Sequence, residues 1–592
     1  MDMLGFYTGQ IFDAYEYLGA HIVPEGVVFR AFAPNAKGVS LLHGQREIPM
    51  NAVYDGNFYE LLLPDAKEGD LYEHRVYGQN GEAVDHCDPY GFGMELRPEH
   101  KSIIRNLGDY TFQDEKWMRN RTAMKDKPLN IYELHLGSFR RKGEAQEWFC
   151  YEELADELIP YLKENGYNYV ECMPLSEHPC DESWGYQNTG FYAPTSRYGT
   201  AAGLMAFVDK LHQNGIGVIL DFVPVHFAVD AYGLARYDGS ALYEYPHSAV
   251  GVSEWGSYNF MHSRGEVRSF LQSNAQYWLQ EYHFDGLRMD AISRIIYWQG
   301  DERRGVNGNA VDFIKVMNRG LRERNKGCIL AAEDSTNFPN VTLDAAQGGL
   351  GFDYKWDMGW MHDTLEFFKL PPEQRKQEYH KLTFSMMYYY KEQYLLPFSH
   401  DEVVHGKATI LQKMNGQYED KFPQGRALYT YMMMHPGKKL NFMGNEIGQL
   451  REWDEKRQQD WELCEYPIHD AFHCFMKELN QLYLQHPALY EQDFTQAGFR
   501  WLDCHQEEAV IYVMERVSAG EKIVAAFNLS GQDIEDYRLS YEGISGVTLL
   551  LDTDWKRFGG KTDETESIIK AENGVFHLSL NRFSAAVFAV QS

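Results

Sequence analysis

Apolar and polar positions along the chain follow three successive rhythms. From residue 1 to about 110, short apolar runs such as GVVFRAFA (26–33), GVSLLHG (38–44), NFYELLLP (57–64) and LYEHRVYG (71–78) are separated by Pro, Asn, Asp and Gly. Turn-formers at that spacing predict short strands packed as a β-sandwich. From about 129 the pattern becomes strand, then helix, repeated. The predicted strands are NIYELHLGSF (130–139), YVECMPL (169–175), GVILDFVPVHF (217–227), GLRMDAI (286–292), CILAAEDS (328–335), DYKWDMG (353–359), the start of YLLPFSHDEVVHGKA (394–408), and KLNFMGNEIG (439–448). Between most of them lie helical patterns, including YEELADELIPYLKENG (151–166) and EVRSFLQSNAQYWLQEYH (266–283), the latter with its apolar residues at helical spacing. Eight strands alternating with helices predict an α/β fold with a central (β/α)8 TIM barrel. The last hundred residues return to strands: AVIYVMERV (509–517), KIVAAFNLS (522–530), GVTLLLDTD (546–554), GVFHLSL (574–580) and FSAAVFAV (583–590). The expected division is an N-terminal β-sandwich over 1–110, a barrel over 111–485 and a C-terminal all-β sandwich over 486–592.

Composition narrows the partners. The net charge of −30 repels phosphate and argues against a nucleic-acid partner, while leaving a neutral polymer such as a polysaccharide open. Aromatic residues make up 15%, and such rings either fill cores or stack on flat substrates. The 8 cysteines include no C-x-x-C pair, so neither a disulfide framework nor a zinc ribbon is expected. No secretory signal and no membrane-length apolar run are evident, which predicts a cytoplasmic protein without a membrane partner. Oligomeric state is not written in these features; a monomer is sufficient.

The chemistry is concentrated at strand ends. GVILDFVPVHF runs apolar into Asp221, with His226 five residues on; GLRMDAI carries Arg288 and Asp290; ILAAEDS ends in Glu333 and Asp334; YLLPFSH leads into His400 and Asp401. Each could individually cap the following helix. Four together match a barrel enzyme, whose catalytic groups project from the C-terminal ends of several strands. Paired carboxylates with Arg and His suit glycosidic bond cleavage, in which one carboxylate attacks the anomeric carbon and a protonated one donates to the leaving oxygen. Arg288 is expected to keep Asp290 ionised. The apolar run before Glu333 is expected to raise that residue toward a general acid. Asp401 would hold sugar hydroxyls and favour the cation-like transition state, and His226 and His400 would donate to sugar hydroxyls. The competing reading, a Zn or Mn site, lacks H-x-H or H-E-x-x-H spacing and places Arg288 where it would repel the ion.

In order and content, DFVPVH (221–226), GLRMD (286–290), AAED (331–334) and FSHDE (398–402) resemble the four signature regions of the α-amylase superfamily of glycosidases and transglycosylases. The blocks ECMPLSEHPCDESWGYQNTGFYAPTSRYGT (171–200), SHDEVVHGK (399–407), NFMGNEIGQ (441–449) and REWD (451–454) narrow the resemblance to the glycogen (1,4-α-glucan) branching enzymes. GVVFRAFAPNAKGVSLLHG resembles the carbohydrate-binding β-sandwich that precedes their barrel. The resemblance implies Asp290 as nucleophile, Glu333 as acid/base and Asp401 as transition-state stabiliser, with Tyr186, Asp221, His226, Arg288 and His400 positioning substrate. It implies an α-1,4-glucan (amylose or glycogen) as donor and acceptor, no metal and no organic cofactor; no D-x-D-x-D-G loop argues for calcium.

Val225 stands where hydrolytic relatives carry Asn, in keeping with a branching enzyme. Trp453 is either a sugar-stacking ring or a packed core residue. Arg303 and Arg304 are read as a solvated loop, and Glu402, His405 and Lys407 as loop and supporting residues. Two alternatives remain: an α-glucan hydrolase or debranching enzyme on the same scaffold, and a non-catalytic glycan-binding protein. All three carboxylates are present, against the second.

Overall fold

Eight parallel strands close into the predicted barrel in chain order: β1 Asn130–Leu134, β2 Tyr169–Cys172, β3 Gly217–Phe222, β4 Gly286–Met289, β5 Ile329–Ala332, β6 Tyr354–Trp356, β7 Tyr394–Phe398 and β8 Lys438–Phe442. The computed structural model describes residues 1–123, 125–564 and 567–591. The chain forms two compact units, one of Met1–Ala123, His135–Ile159 and Glu171–Asp353, the other of Met124–Leu134, Pro160–Val170 and Tyr354–Ser592. Strands β3 to β5 lie in the first unit; β1, β6, β7 and β8 lie in the second.

Most barrel strands are shorter than their apolar runs suggested. β3 is buried at every position, as a strand covered on both faces must be, yet it stops at Phe222. His226 belongs to a separate two-residue strand paired with Tyr258–Asn259. β1 stops at Leu134, and DYKWDMG supplies only β6 before the helix Met358–Lys369 begins, capped by Asp357 on the Trp360 N–H at 2.9 Å. Asp221 and Arg288 are thereby left within the last two residues of β3 and β4, and Asp290 and Glu333 just past β4 and β5, their N–H groups still donating to the Phe222 and Met289 carbonyls at 3.0 and 3.1 Å.

In the first unit, parallel pairing sets Asp221 opposite Arg288 and Arg288 opposite Ala331, with Met289 opposite Ala332. Asp290 and Glu333 each follow the last residue of their strand, so they continue that register. Side chains alternate faces along a strand; Asp221, Arg288, Asp290 and Glu333 therefore project together. Gly286 opens β4 where a Cβ would stand 2.3 Å from the Ile329 carbonyl oxygen, so only glycine permits this approach of β4 to β5.

The N-terminal strands form two antiparallel sheets, Gly19–Val23, Gly26–Phe32, Phe58–Leu63 and Asn51–Val53 in one, Arg46–Pro49, Gly38–His43, Leu71–Tyr77 and Ala83–His86 in the other, with Ser102–Ile103 added to Leu71–Tyr77. Phe29 of one sheet meets Tyr72 of the other with ring centroids 5.0 Å apart, at the centre of the sandwich core.

In the second unit the C-terminal residues form a six-stranded sheet and a two-stranded ribbon, Ile534–Ser540 with Val575–Leu580. Val513, Val524 and Phe588 from the sheet pack with Tyr537, Leu539, Phe576 and Leu578 from the ribbon. Phe499–Gln506 and Ile534–Ser540 are strands that the hydrophobic pattern missed, because Arg500, Asp503, Glu535, Asp536 and Arg538 interrupt them. Among the described residues, no helix is long and apolar enough to cross a membrane.

Candidate active site

Arg288 is fully buried and serves three carboxylates. Its Nη1 donates to both oxygens of Asp221 at 2.7 Å and to Asp290 Oδ1 at 3.0 Å, while Nη2 lies 2.9 Å from Glu333 Oε2. A buried guanidinium is tolerable only with such neutralisation. The planar fork spreads its charge over acids on three adjacent strands, which a lysine could not do. The Asp290 and Glu333 side chains keep 15% and 17% exposure, whereas Asp221 keeps 1%. Asp221 is thus an internal anchor, and the other two present carboxyls to whatever enters.

Asp290 and Glu333 are also within hydrogen-bonding reach of each other. Burial pushes the Asp290 carboxyl well above the ordinary carboxylate range; Arg288 opposes this, and Glu333 and Asp221 add to it. Arg288 does favour the ionised form of Asp290, as expected, but burial and the neighbouring acids act against it. A second carboxyl this close makes the Asp290 proton harder to lose.

A left-handed turn makes the arrangement. Ala291, at φ 45°, bends the chain sharply after Asp290. Its N–H donates to Glu333 Oε2 at 2.9 Å, and the next N–H, Ile292, donates to the Glu333 carbonyl at 2.9 Å. A non-glycine residue there carries about 1 kcal/mol or more of strain.

At the end of β7, His400 is buried. Its Nδ1 lies 2.5 Å from Glu133 Oε1, and its backbone N–H donates to Glu133 Oε2 at 3.0 Å. Both oxygens of this carboxylate thus hold one histidine. With Nδ1 donating, Nε2 is the nitrogen turned toward Asp401, 3.5 Å from its Oδ1. Asp401 is the more open member, with 43% of its side chain exposed.

A carbohydrate-binding module 48 (isoamylase N-terminal domain) model matches residues 17–91, an alpha amylase catalytic domain model residues 154–240, and an alpha amylase C-terminal all-beta domain model residues 501–591. The 1,4-alpha-glucan branching enzyme GlgB of Bacillus caldolyticus is 41% identical over 586 residues, covering 97% of this chain and 88% of that enzyme. The GlgB of Fusobacterium nucleatum subsp. nucleatum is 43% identical over 570 residues, covering 95% and 92%. This chain belongs to the 1,4-alpha-glucan branching enzymes. The solved structure of GBS pullulanase SAP with maltotetraose superposes with a TM-score of 0.75 at 14% identity, over 99% of this chain and 89% of that one, a likeness of fold.

The long loop after β2 of this branching-enzyme barrel delivers Tyr186, whose hydroxyl donates to Asp221 Oδ2. Gly185 makes that delivery possible: at φ 90° it passes so close to Pro174 that a Cβ would stand 2.6 Å from its carbonyl oxygen. His226 is buried with its Nδ1 lacking a hydrogen-bond partner among the described residues, its ring centroid 5.5 Å from that of Trp255, and burial lowers its pKa to about 4, with the Arg294 charge acting in the same direction. It is a neutral imidazole at physiological pH.

Trp453 takes the packing alternative. It is 7% exposed, with its ring centroid 5.2 Å from Phe442 and 6.1 Å from His400, so it backs the histidine. Arg303 is solvated and paired with Asp301 at 2.9 Å. Lys407 donates to the Asp401 carbonyl at 2.7 Å, a supporting role as expected.

Sequence reasoning missed Glu133 and Ala291. Glu133 was available to the strand-end rule, since it is the penultimate residue of NIYEL, but nothing local distinguishes it from an acid that caps the next turn. Ala291 carries no local signal, because its backbone angle is imposed by its surroundings.

Proposed function

We propose that the protein is a retaining transglycosylase that cuts α-1,4-glucan chains and transfers the cut segment to a glucan 6-hydroxyl, making α-1,6 branches. Asp290 attacks C1 of the donor; the bond from C1 to the leaving 4-oxygen breaks, and Glu333 gives that oxygen its proton. The donor segment is then an ester on Asp290. An acceptor 6-hydroxyl attacks C1, Glu333 takes the hydroxyl proton, and the Asp290 carboxylate leaves. Two inversions give net retention, and no proton or water is consumed. Asp401 steadies the cation-like sugar between the two steps, with His400 beside it. Tyr186, Asp221, His226 and Arg288 position the donor or the two reacting acids. The match of residues 17–91 to a carbohydrate-binding module supports a polysaccharide partner, and the proposed domain limits are 1–110, 111–485 and 486–592, in a cytoplasmic enzyme.

The observation that carries the reading is the Arg288-bridged pair Asp290 and Glu333 at adjoining strand ends, in a chain with branching-enzyme relatives along nearly its whole length. The test follows linear amylose by proton NMR for new α-1,6 linkages and by assay for new reducing ends. Branch signals without matching reducing ends are expected. Reducing ends alone would make water the acceptor and overturn the transfer reading.

A further inference from the structure

The turn that follows Asp401 is strained. Between Val404 and Thr409 three residues are left-handed: His405 at φ 58°, Gly406 at φ 79° and Ala408 at φ 64°. The two non-glycine residues each hold about 1 kcal/mol of backbone strain. A segment so bent persists only when its surroundings over-determine it, and here two oppositely charged side chains do so. Glu452 accepts from the Gly406 N–H at 3.1 Å and from the Ala408 N–H at 2.7 Å, one backbone amide on each oxygen. From the helix Ile410–Lys413, Lys413 donates through Nζ to the carbonyls of Glu402 and of Ala408, the latter at 2.6 Å. Trp453, next to Glu452, donates its N–H to the Val403 carbonyl at 2.9 Å.

We propose that Lys413 and Glu452 form a backbone clamp that positions Asp401, both being positioning residues for the branching reaction. This rests on the assignment of Asp401 above. Glu452 gathers the donors of the strained turn, and Lys413 ties the carbonyl of its last left-handed residue, Ala408, to that of Glu402, the residue after Asp401. Neither reaches a sugar in this role; both fix where the Asp401 carboxylate points. A misplacement of about 1 Å at such a group is enough to lower a rate about 100-fold.

The clamp carries its own pH limit. Burial pulls the Lys413 ammonium down to about 8; Glu402 and Glu452 favour its charge, while Lys369 and Lys407 disfavour it. A neutral amine loses most of its grip on two carbonyls, so the turn should loosen as pH rises through that value.

The test is hydrogen exchange of the 400–409 peptides in the full-length protein, alongside kcat and KM on amylose, for Lys413→Met, Lys413→Arg, Glu452→Gln and Asp401→Asn. Lys413→Met is expected to exchange faster in this segment alone and to lose on the order of 10-fold or more in kcat, with KM little changed. Lys413→Arg, permanently charged, should restore protection and, after correction for intrinsic exchange, keep it above pH 8, where the parent loses it. Glu452→Gln, which keeps an acceptor but not two anionic ones, should fall between. Wild-type exchange in Lys413→Met, or faster exchange with unchanged kcat, overturns the clamp. Asp401→Asn should lose activity without any change in exchange. If it stays fully active, the Asp401 assignment fails, whatever the clamp does.

Discussion

The backbone N–H of Ala291, the residue after Asp290, donates to Glu333 Oε2 at 2.9 Å, and Ala291 holds that direction from a left-handed φ of 45°. The main chain of one reacting acid thereby orients the side chain of the other. Ala291→Gly should keep kcat within about twofold, because glycine adopts the angle freely. Ala291→Val, whose branched Cβ resists it, should lose roughly 10- to 100-fold in kcat, equivalent to about 1–3 kcal/mol of strain or lost orientation. Paired amylose kinetics with a melting curve for each variant check this.

The raised titration of Asp290 fixes the sign of the pH dependence. The attacking Asp290 must be ionised, so activity should fall as pH drops through its raised titration. Burial and the Glu333 charge raise the Asp290 carboxyl, so in Glu333→Gln it should ionise at lower pH than in the parent. A glycosyl fluoride donor, whose leaving group needs no acid, lets this variant form its ester. The acid limb of its rate profile should move downward, and an unmoved limb would mean the two carboxyls are not coupled. With amylose the same variant should lose roughly 100- to 10,000-fold in kcat.

Glu133 holds both the ring and the backbone N–H of His400. Glu133→Ala leaves two buried donors unsatisfied and should destabilise by about 1–3 kcal/mol. Glu133→Gln preserves one acceptor and should fold normally, yet lose about 10-fold in kcat as the imidazole loses its fixed tautomer. Melting temperature separates the two effects from kcat.

Stability at acid to neutral pH draws on a buried histidine that was not among the candidate site residues. His212 is buried between Asp114 and Asp285, each 2.7 Å from a ring nitrogen. Burial disfavours its charge, but Asp285 and Asp114 outweigh this and raise its pKa from 6.5 to about 9. Its contribution is fully present below pH 6.5, declines above that and is gone once pH passes about 9. The total is about 3 kcal/mol by linkage. His212→Asn should melt earlier than the parent at pH 6, with the gap closing by pH 9.5; denaturation curves at both values check it.

Much of the site was legible because its residues break a pattern: Asp221, Arg288, Asp290, Glu333, His400 and Asp401 interrupt or follow apolar runs that would otherwise be featureless strands. Tyr186 was reached only through its block, since a tyrosine in a Tyr- and Gly-rich loop is unexceptional by itself. The effect of Arg288 on Asp290 was legible from their closeness in the chain, whereas the burial and the Glu333 charge that oppose it exist only in the folded protein. Trp453 could not be assigned from the letters, because stacking and packing place the same demand on an indole.

What the sequence by itself determined is the order of elements and the identity of the reacting groups. Both follow from hydrophobic periodicity and from carboxylates at strand ends, which are local properties of the chain. Only the tertiary structure decided how those groups are held: the β3–β4–β5 register that lets one guanidinium serve three acids, the left-handed Ala291 that aims an amide at Glu333, and the distant Glu133 and Glu452 that restrain His400 and the turn after Asp401. These relationships join residues tens or hundreds of positions apart, and their energies come from burial and geometry that exist only once the chain has closed.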